Sequence, residues 1–200
     1  MKKIVFLAII GISISCTNVS YKLQLNSLFS DNMVLQRKTL VNIWGLGVPY
    51  KKIEIVPEWG KKVILNCNHD GSWDGQLETL EAGGPYFIDI VSNNDTIKIN
   101  NVMIGEVWLA SGQSNMEMNL KGYPNEPILN SESEILNANY PNIRMFTVKK
   151  SISIEPLDTL NGEWVQTSSN SVKEFSATAY FFAREIHEKL NIPIGIIHSS

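Results

Sequence analysis

The feature that most constrains the fold is an apolar run that ends abruptly in small and polar residues. Residues 102–110 are apolar enough to suit a central parallel strand that is buried on both faces. The run exits into Ser111-Gly112-Gln113-Ser114-Asn115, and a methionine-rich helical pattern follows. This exit is either an ordinary turn with a serine N-cap or a place where a nucleophile is presented.

Further elements after this run predict an α/β domain over residues 101–200. Residues 142–148 and 194–198 read as buried strands. Residues 175–190 predict an amphipathic helix, because apolar side chains recur every three or four positions: Phe175, Ala179, Phe182, Ala183, Ile186 and Leu190. Strand, helix and strand in this order indicate a doubly wound sheet. We expect the last strand to form an exposed edge.

Residues 23–100 contain short candidate strands separated by turns, and this pattern predicts a small all-β sandwich. Short candidate strands fall at residues 41–44, 52–56, 63–65, 86–91 and 96–99. The last two are joined by a hairpin turn at residues 92–95, and a turn that carries Trp73 is predicted at residues 70–75. Regular short strands separated by turn residues are typical of a sandwich.

The first 16 residues have the pattern of an export signal. Lys2 and Lys3 precede the apolar residues 4–14, a stretch shorter than the about 20 residues that span a membrane. Cys16 follows Ser15 where cleavage is expected, which resembles a bacterial lipobox. We predict a lipoprotein-type signal peptide with Cys16 as the lipidation candidate, and plain secretion as the alternative. The protein would be periplasmic, anchored to the outer membrane or extracellular in a bacterium.

Charge and residue counts exclude several functions. The net charge of -3 and the scattered lysines give no basic stripe for nucleic acid. Cys67 has no partner if Cys16 is lipidated or removed, so no disulfide framework is expected. The three histidines lie far apart and lack the spacing of metal ligands. We therefore predict no structural metal and no cofactor.

Ser114 is the candidate nucleophile. A serine hydroxyl needs a base to take its proton and donors aimed at the developing oxyanion. At a strand-to-helix junction its own N–H lies near a helix N-terminus, and Gly112 allows a tight turn. The G-x-S-x-G pattern is not matched, because Met116 stands where it requires glycine. Gln113 and Asn115 would orient the loop, touch the substrate or merely stabilise the turn.

Several stretches, in the right order, resemble the sialate O-acetylesterase family, a branch of the SGNH (GDSL-like) esterases. The signature is GEVWLASGQSNMEM at residues 105–118, where Gly112-Gln113-Ser114 stands for the Gly-Asp-Ser of the superfamily. The other matching stretches are LFSDNMVLQR at residues 28–37, AGGPY at 82–86, residues 175–185 and PIGIIHSS at 193–200.

The resemblance implies an incomplete SGNH-hydrolase (flavodoxin-like) α/β domain preceded by the small sandwich. It implies a carbohydrate O-acetylesterase of the sialate 9-O-acetylesterase type, acting on an O-acetylated glycan or sialic acid. Ser114 would be the nucleophile and one oxyanion donor. The other oxyanion residues and an Asp-x-x-His base would follow residue 200, so we expect this chain alone to lack the base. His198 is interpreted as a strand-end residue near the site and not as the base.

Alternative functions remain open at this point. One is an acetylxylan-esterase-like activity, and another is a truncated, non-catalytic fragment whose sandwich binds glycans. A third is that a neighbouring polypeptide completes the domain. Glu106 and Glu117 could serve as a glycosidase pair, but strand parity and helix spacing do not bring them together. We expect these two carboxylates to make structural hydrogen bonds.

Overall fold

The computed structural model describes residues 21–93 and 95–200, so the predicted signal peptide and Cys16 lie outside the described residues. The elements are β1 (Gln24–Leu25), β2 (Val34–Gln36), β3 (Leu40–Leu46), β4 (Lys52–Pro57), β5 (Val63–Asn66), β6 (Ser72–Glu78), β7 (Gly83–Ser92), β8 (Asp95–Ser111), a 3-10 turn (Ser114–Met116), α1 (Ser131–Asn137), β9 (Asn139–Thr147), β10 (Trp164–Ser168), α2 (Ala177–Leu190) and β11 (Ile194–Ser199). In the described part, no helix is long and apolar enough to cross a membrane.

Two sheets share the first hydrophobic core. β1, β3 and β6 form a three-stranded sheet, and the other eight strands form a second sheet in the order β10-β9-β11-β8-β7-β4-β5, with β2 beside β8. Period-two alternation sends Ile53 and Ile55 of β4 inward and leaves Lys52 and Glu54 less buried. They pack with Trp73 of the smaller sheet in one cluster.

β8 is the strand that connects the two parts of the larger sheet. It pairs antiparallel with β7 up to Ile104 and parallel with β2 from Met103 to Gly105. From Glu106 to Ser111 it pairs parallel with β11. The boundary predicted between residues 100 and 101 therefore falls inside one continuous strand. The division into two domains stays a prediction.

The α/β part is a mixed sheet with a helix packed against it, and the predicted doubly wound arrangement stays a prediction. β11 lies parallel to both β8 and β9, while β10 is antiparallel to β9. Tyr180 and Ala183 of α2 are buried against Ile143 of β9 and Ile196 of β11 in a second core cluster. The apolar stripe of the helix covers this part of the sheet.

The expectation that the last strand is an exposed edge is wrong. β11 is inserted between β8 and β9, which pair with it on both sides. Among the described strands, only β11 pairs with β8 along Glu106–Ser111. The side chains of Trp108 and Leu109 there are 43% and 68% exposed, so the predicted burial on both faces fails at this end of β8.

Two local predictions also need correction. The helix begins at Ala177, because Ser176 is its N-cap and accepts a hydrogen bond from the Ala179 N–H at 3.2 Å. Phe182, which the predicted stripe included, is exposed, whereas Phe175, Ala179 and Ala183 are buried as predicted. The turn predicted at residues 70–75 ends at residue 71, and Trp73 lies on β6 with its indole buried in the core.

Candidate active site

The candidate site lies where three parallel strands end. β8 ends at Ser111, β9 at Thr147 and β11 at Ser199. Ser199 is paired with Ser111, and His198 with Thr147, so these ends are adjacent. In open α/β sheets, the carboxyl edge is where ligands bind. The turn that carries Ser114 begins directly after β8.

Ser114 is exposed and has a left-handed backbone conformation, with φ of 52°. A side chain in this region costs free energy, and such residues cluster at functional sites. Gly112 has φ of 148°, which glycine adopts readily, so its predicted role in a tight turn is confirmed.

Two expectations about this turn are wrong. The N-cap of the 3-10 turn is Gln113, which makes no side-chain cap bond, so neither Ser111 nor Ser114 is an N-cap here. The methionine-rich helical pattern forms only the single turn Ser114–Met116. A single turn has no row of aligned peptide dipoles, so no helix dipole favours negative charge at Ser114.

The turn is fastened to α2 and β11. The Thr178 hydroxyl of α2 donates to the carbonyl oxygen of Asn115 at 3.0 Å. Nε2 of His198 lies 3.1 Å from the carbonyl oxygen of Met116, and the Ser176 hydroxyl lies 3.6 Å from its sulfur. These contacts hold the two residues that follow Ser114.

His198 is buried beneath the turn. Because the Met116 carbonyl can only accept, we assign the proton of the ring to Nε2. The Ser200 hydroxyl lies 2.6 Å from the same nitrogen. Burial lowers the pKa of the imidazole. Within the described residues, no histidine or carboxylate hydrogen-bonds to the Ser114 hydroxyl, which supports the interpretation that His198 is not its base.

A cleft of about 770 Å³ lies beside the turn. It is lined by Gly112, Glu117, Val148, Lys149, Lys150, Ser151, Ile152, Ser199 and Ser200, and Ser114 is not among these residues. Glu117 and Lys150 form an ion pair in it. The hydrogen bond from Lys150 lowers the pKa of Glu117, and the same bond raises the pKa of Lys150. The cleft therefore carries charges of both signs.

Gln113 and Asn115 flank the serine and are both exposed. The Gln113 carbonyl accepts from the Met116 N–H at 3.1 Å. Their side-chain amides make no hydrogen bond to any other described residue. The amides are free to meet a ligand, and their roles stay predictions.

The two glutamates have separate partners. Glu106 accepts hydrogen bonds from Nε of Arg37 at 2.7 Å and Nε2 of Gln36 at 3.0 Å. The bond from Gln36, followed by that from Arg37, lowers the pKa of Glu106. The expectation of structural hydrogen bonding is confirmed, and a glycosidase pair is not formed. No sequence signal had marked Lys150 or Thr178 as part of the site.

Across residues 21–93 and 95–200, no group of three or more His, Cys, Asp or Glu side chains is placed to hold a metal ion. Cys67 is free and buried in the first core, which raises the pKa of its thiol. The expectations of no metal and no cofactor stay predictions.

The fold is similar to that of a carbohydrate acetylesterase. A crystal structure of a carbohydrate acetylesterase from Xanthomonas citri superposes with a TM-score of 0.83 at 33% identity, covering 88% of this chain and 40% of that one. No family model matches the chain.

Sequence comparison finds relatives of one type, the sialate O-acetylesterases. The sialate O-acetylesterases of Pongo abelii and Homo sapiens are each 29% identical over 193 residues, and the Mus musculus protein is 28% identical. The matches cover 87% of this chain and 36% of the first two relatives, so the chain spans about a third of their length. The resemblance to the sialate O-acetylesterase family is confirmed.

Proposed function

We propose that the protein is a carbohydrate O-acetylesterase of the sialate O-acetylesterase type, with Ser114 as its nucleophile. The observation that carries this proposal is the exposed Ser114 with φ of 52°, set at the carboxyl edge of the sheet. The similarity to acetylesterases over most of the chain supports the choice of an acetyl ester as substrate.

The proposed reaction has two halves. Ser114 Oγ attacks the carbonyl carbon of the acetyl group and gives its proton to the base, which passes it to the sugar oxygen as the ester bond breaks. Water then gives a proton to the base and attacks the acetyl-serine. Acetate leaves, and the proton returns from the base to Ser114 Oγ. The Ser114 N–H serves as one oxyanion donor, and Gln113 and Asn115 offer their exposed amides to the sugar. As the family resemblance implies, the base in this proposal belongs to an Asp-x-x-His element that follows residue 200.

Two of the described residues have positioning roles in the proposed reaction. Thr178 and His198 fix the carbonyl groups of Asn115 and Met116, so the Ser114 turn does not need to reorganise when ester binds. In this proposal residues 101–200 form part of an SGNH-type domain, and residues 23–100 form the small sandwich that precedes it.

The decisive experiment replaces Ser114 by alanine in the protein expressed at its full natural length. Acetate release would be measured with 9-O-acetylated sialic acid and with acetylated xylan, which separates the two substrate classes. We expect kcat to fall by at least about 10³-fold with either substrate, as for loss of a nucleophile. Ser111→Ala, three residues earlier on the same exposed edge, is the matched control and should stay active. An active Ser114→Ala protein would refute the proposal.

We also propose export and lipid attachment at Cys16, on the strength of the signal-like residues 1–16. The intact mass of the mature protein from its own cells tests this. A chain that begins at Cys16 and carries the mass of attached acyl chains supports the proposal. A mature chain without lipid would indicate plain secretion, and a chain that retains Met1 would contradict export.

A further inference from the structure

A second cavity, of about 400 Å³, lies at the three-stranded sheet. None of the residues that line it lines the cleft beside Gly112. Its volume falls within the range of about 300–1,000 Å³ that small-ligand sites occupy. The side chains that matter here are Gln24, Trp44, Leu46, Ser72, Asp74 and Asp158.

Strand register sets one wall of this cavity. Trp44 of β3 is paired with Asp74 of β6, and Leu46 is paired with Ser72. Side chains paired directly across two strands lie on the same face of a sheet. Ile43, the preceding residue, points the other way into the core, which leaves Trp44 half-buried on the outer face.

The segment between β9 and β10 contributes Asp158 and Thr159 to the cavity lining, and hydrogen bonds hold it in place. The side-chain amide of Asn26 donates to the Asp158 carbonyl oxygen at 2.7 Å, and the Trp44 indole N–H donates to the same oxygen at 3.2 Å. The Ser27 hydroxyl donates to the Leu160 carbonyl at 2.6 Å. The same segment lines the cleft beside Gly112 with residues 148–152, so it contributes to both sites.

Two carboxylates of the cavity are available to a ligand, whereas the Ser72 hydroxyl already bonds to Asp70 and Asn68. The carboxylates of Asp74 and Asp158 make no hydrogen bond or ion pair with another described residue. Carboxylates accept hydrogen bonds from hydroxyl groups. The half-buried Trp44 ring packs edge-to-face with Phe29, with ring centroids 4.7 Å apart, and its remaining exposed part offers an apolar surface of the kind that packs on C–H groups. No lysine or arginine lines the cavity, so an anionic ligand would meet two negative charges without compensation.

We propose that this cavity is a second glycan-binding site that takes an uncharged sugar residue. The choice of a glycan as ligand rests on the proposed function, whereas the preference for an uncharged sugar rests on the lining residues. The site would hold a neutral part of the glycan, while the ester lies at the edge that carries Ser114.

Isothermal titration of the full-length protein tests this with xylohexaose, cellohexaose, N-acetylchitohexaose and anionic 3′-sialyllactose as probes. The test variant is Asp74→Asn with Asp158→Asn, which keeps the shape of both side chains. Its charge-matched control is Glu126→Gln with Glu132→Gln, two exposed positions outside both cavities. We expect the Kd of an uncharged oligosaccharide to rise at least about tenfold in the aspartate variant and to stay unchanged in the control.

Three results would overturn the proposal. The first is the absence of saturable binding to all three uncharged oligosaccharides. The second is a Kd that rises less than about tenfold in the aspartate variant. The third is tighter binding of 3′-sialyllactose than of the uncharged probes that the aspartate variant also loses. Ser114→Ala protein should bind as the wild type does. Binding is measured without turnover, so failure of the esterase proposal and failure of this one are separable.

Discussion

Nε2 of the His198 imidazole lies 3.1 Å from the carbonyl oxygen of Met116. Met116 ends the turn that begins at Ser114, and His198 lies near the end of β11. A contact between residues 82 positions apart thus ties the serine turn to the centre of the sheet. His198 acts here as a positioning residue, because its ring contacts the turn and not the serine hydroxyl.

The first prediction concerns the pH dependence of stability. Burial holds the pKa of folded His198 below its ordinary value of about 6.5, so the unfolded chain takes up a proton at higher pH than the folded one. The free energy of unfolding should therefore decrease as the pH falls through about 6.5 and below. His198→Gln retains a donor but cannot titrate, and should show a shallower decrease between pH 7 and pH 5.

Urea denaturation at several pH values provides the measurement. His69→Gln is the control, since His69 is exposed and should leave the slope as in the wild type. If the free energy of unfolding falls equally steeply with pH in His198→Gln and the wild type, the buried imidazole does not cause the loss of stability.

A second prediction concerns backbone strain at the nucleophile. Ser114→Ala and Ser114→Gly both remove the hydroxyl, but only glycine tolerates φ of 52° without cost. The glycine protein should be more stable than the alanine protein by about 1 kcal/mol. At Ser111, which lies on β8, the order should reverse, because glycine weakens a strand. Chemical denaturation of the four variants gives their free energies of unfolding. A Ser114→Ala protein that is more stable than the Ser114→Gly protein would argue against strain at this position.

Local patterns predicted much of the fold. The alternation of residues 52–56, the hairpin around residues 92–95 and the stripe of residues 175–190 each mark an element that the structure contains. β10 and α1 were missed because neither forms a long periodic pattern. The position of β11 between β8 and β9 could not be read from sequence order, since strand order depends on pairing between distant segments.

The site was only partly predictable for the same reason. Ser114 stands out through its neighbours in sequence, whereas Lys150 and Thr178 come near it only through the fold. Lys150 occupies a segment without periodic structure, and Thr178 lies on a helix whose residues otherwise suggest packing alone. Residues that support a turn from another element carry no local signal.

The third prediction concerns Arg144 on β9, a buried guanidinium without a carboxylate partner among the described residues. It donates to the carbonyl oxygen of Pro141 at 2.6 Å and to the side-chain oxygens of Asn32 at 3.4 Å and Asn101 at 3.3 Å. Arg144→Met would remove these hydrogen bonds from a buried side chain, although Asn32 keeps the amide of Asn101 as a donor, and should lower the free energy of unfolding by about 1–3 kcal/mol.

Arg144→Lys should also destabilise the protein, because one ammonium group cannot reach three acceptors in the way that a planar guanidinium does. Thermal unfolding of both variants is the measurement. Lys51→Met removes an exposed cation, and the resulting change should stay within about 0.5 kcal/mol. A similarly small change for Arg144→Met would mean that the hydrogen bonds of Arg144 contribute little to the free energy of unfolding.

The last prediction follows from the open edge of β8. Between Glu106 and Ser111 this strand pairs with β11 alone among the described strands, and Leu109 is 68% exposed there. An unpaired edge with an exposed apolar residue favours pairing with a second chain. In the 200-residue chain, Leu109→Lys should reduce self-association, measured by sedimentation velocity over a range of concentrations. Its stability should change by no more than about 0.5 kcal/mol, as is usual for a surface position. Leu80→Lys, an exposed leucine outside any strand, should leave self-association unchanged, and an equal effect of both variants would point to net charge as the cause.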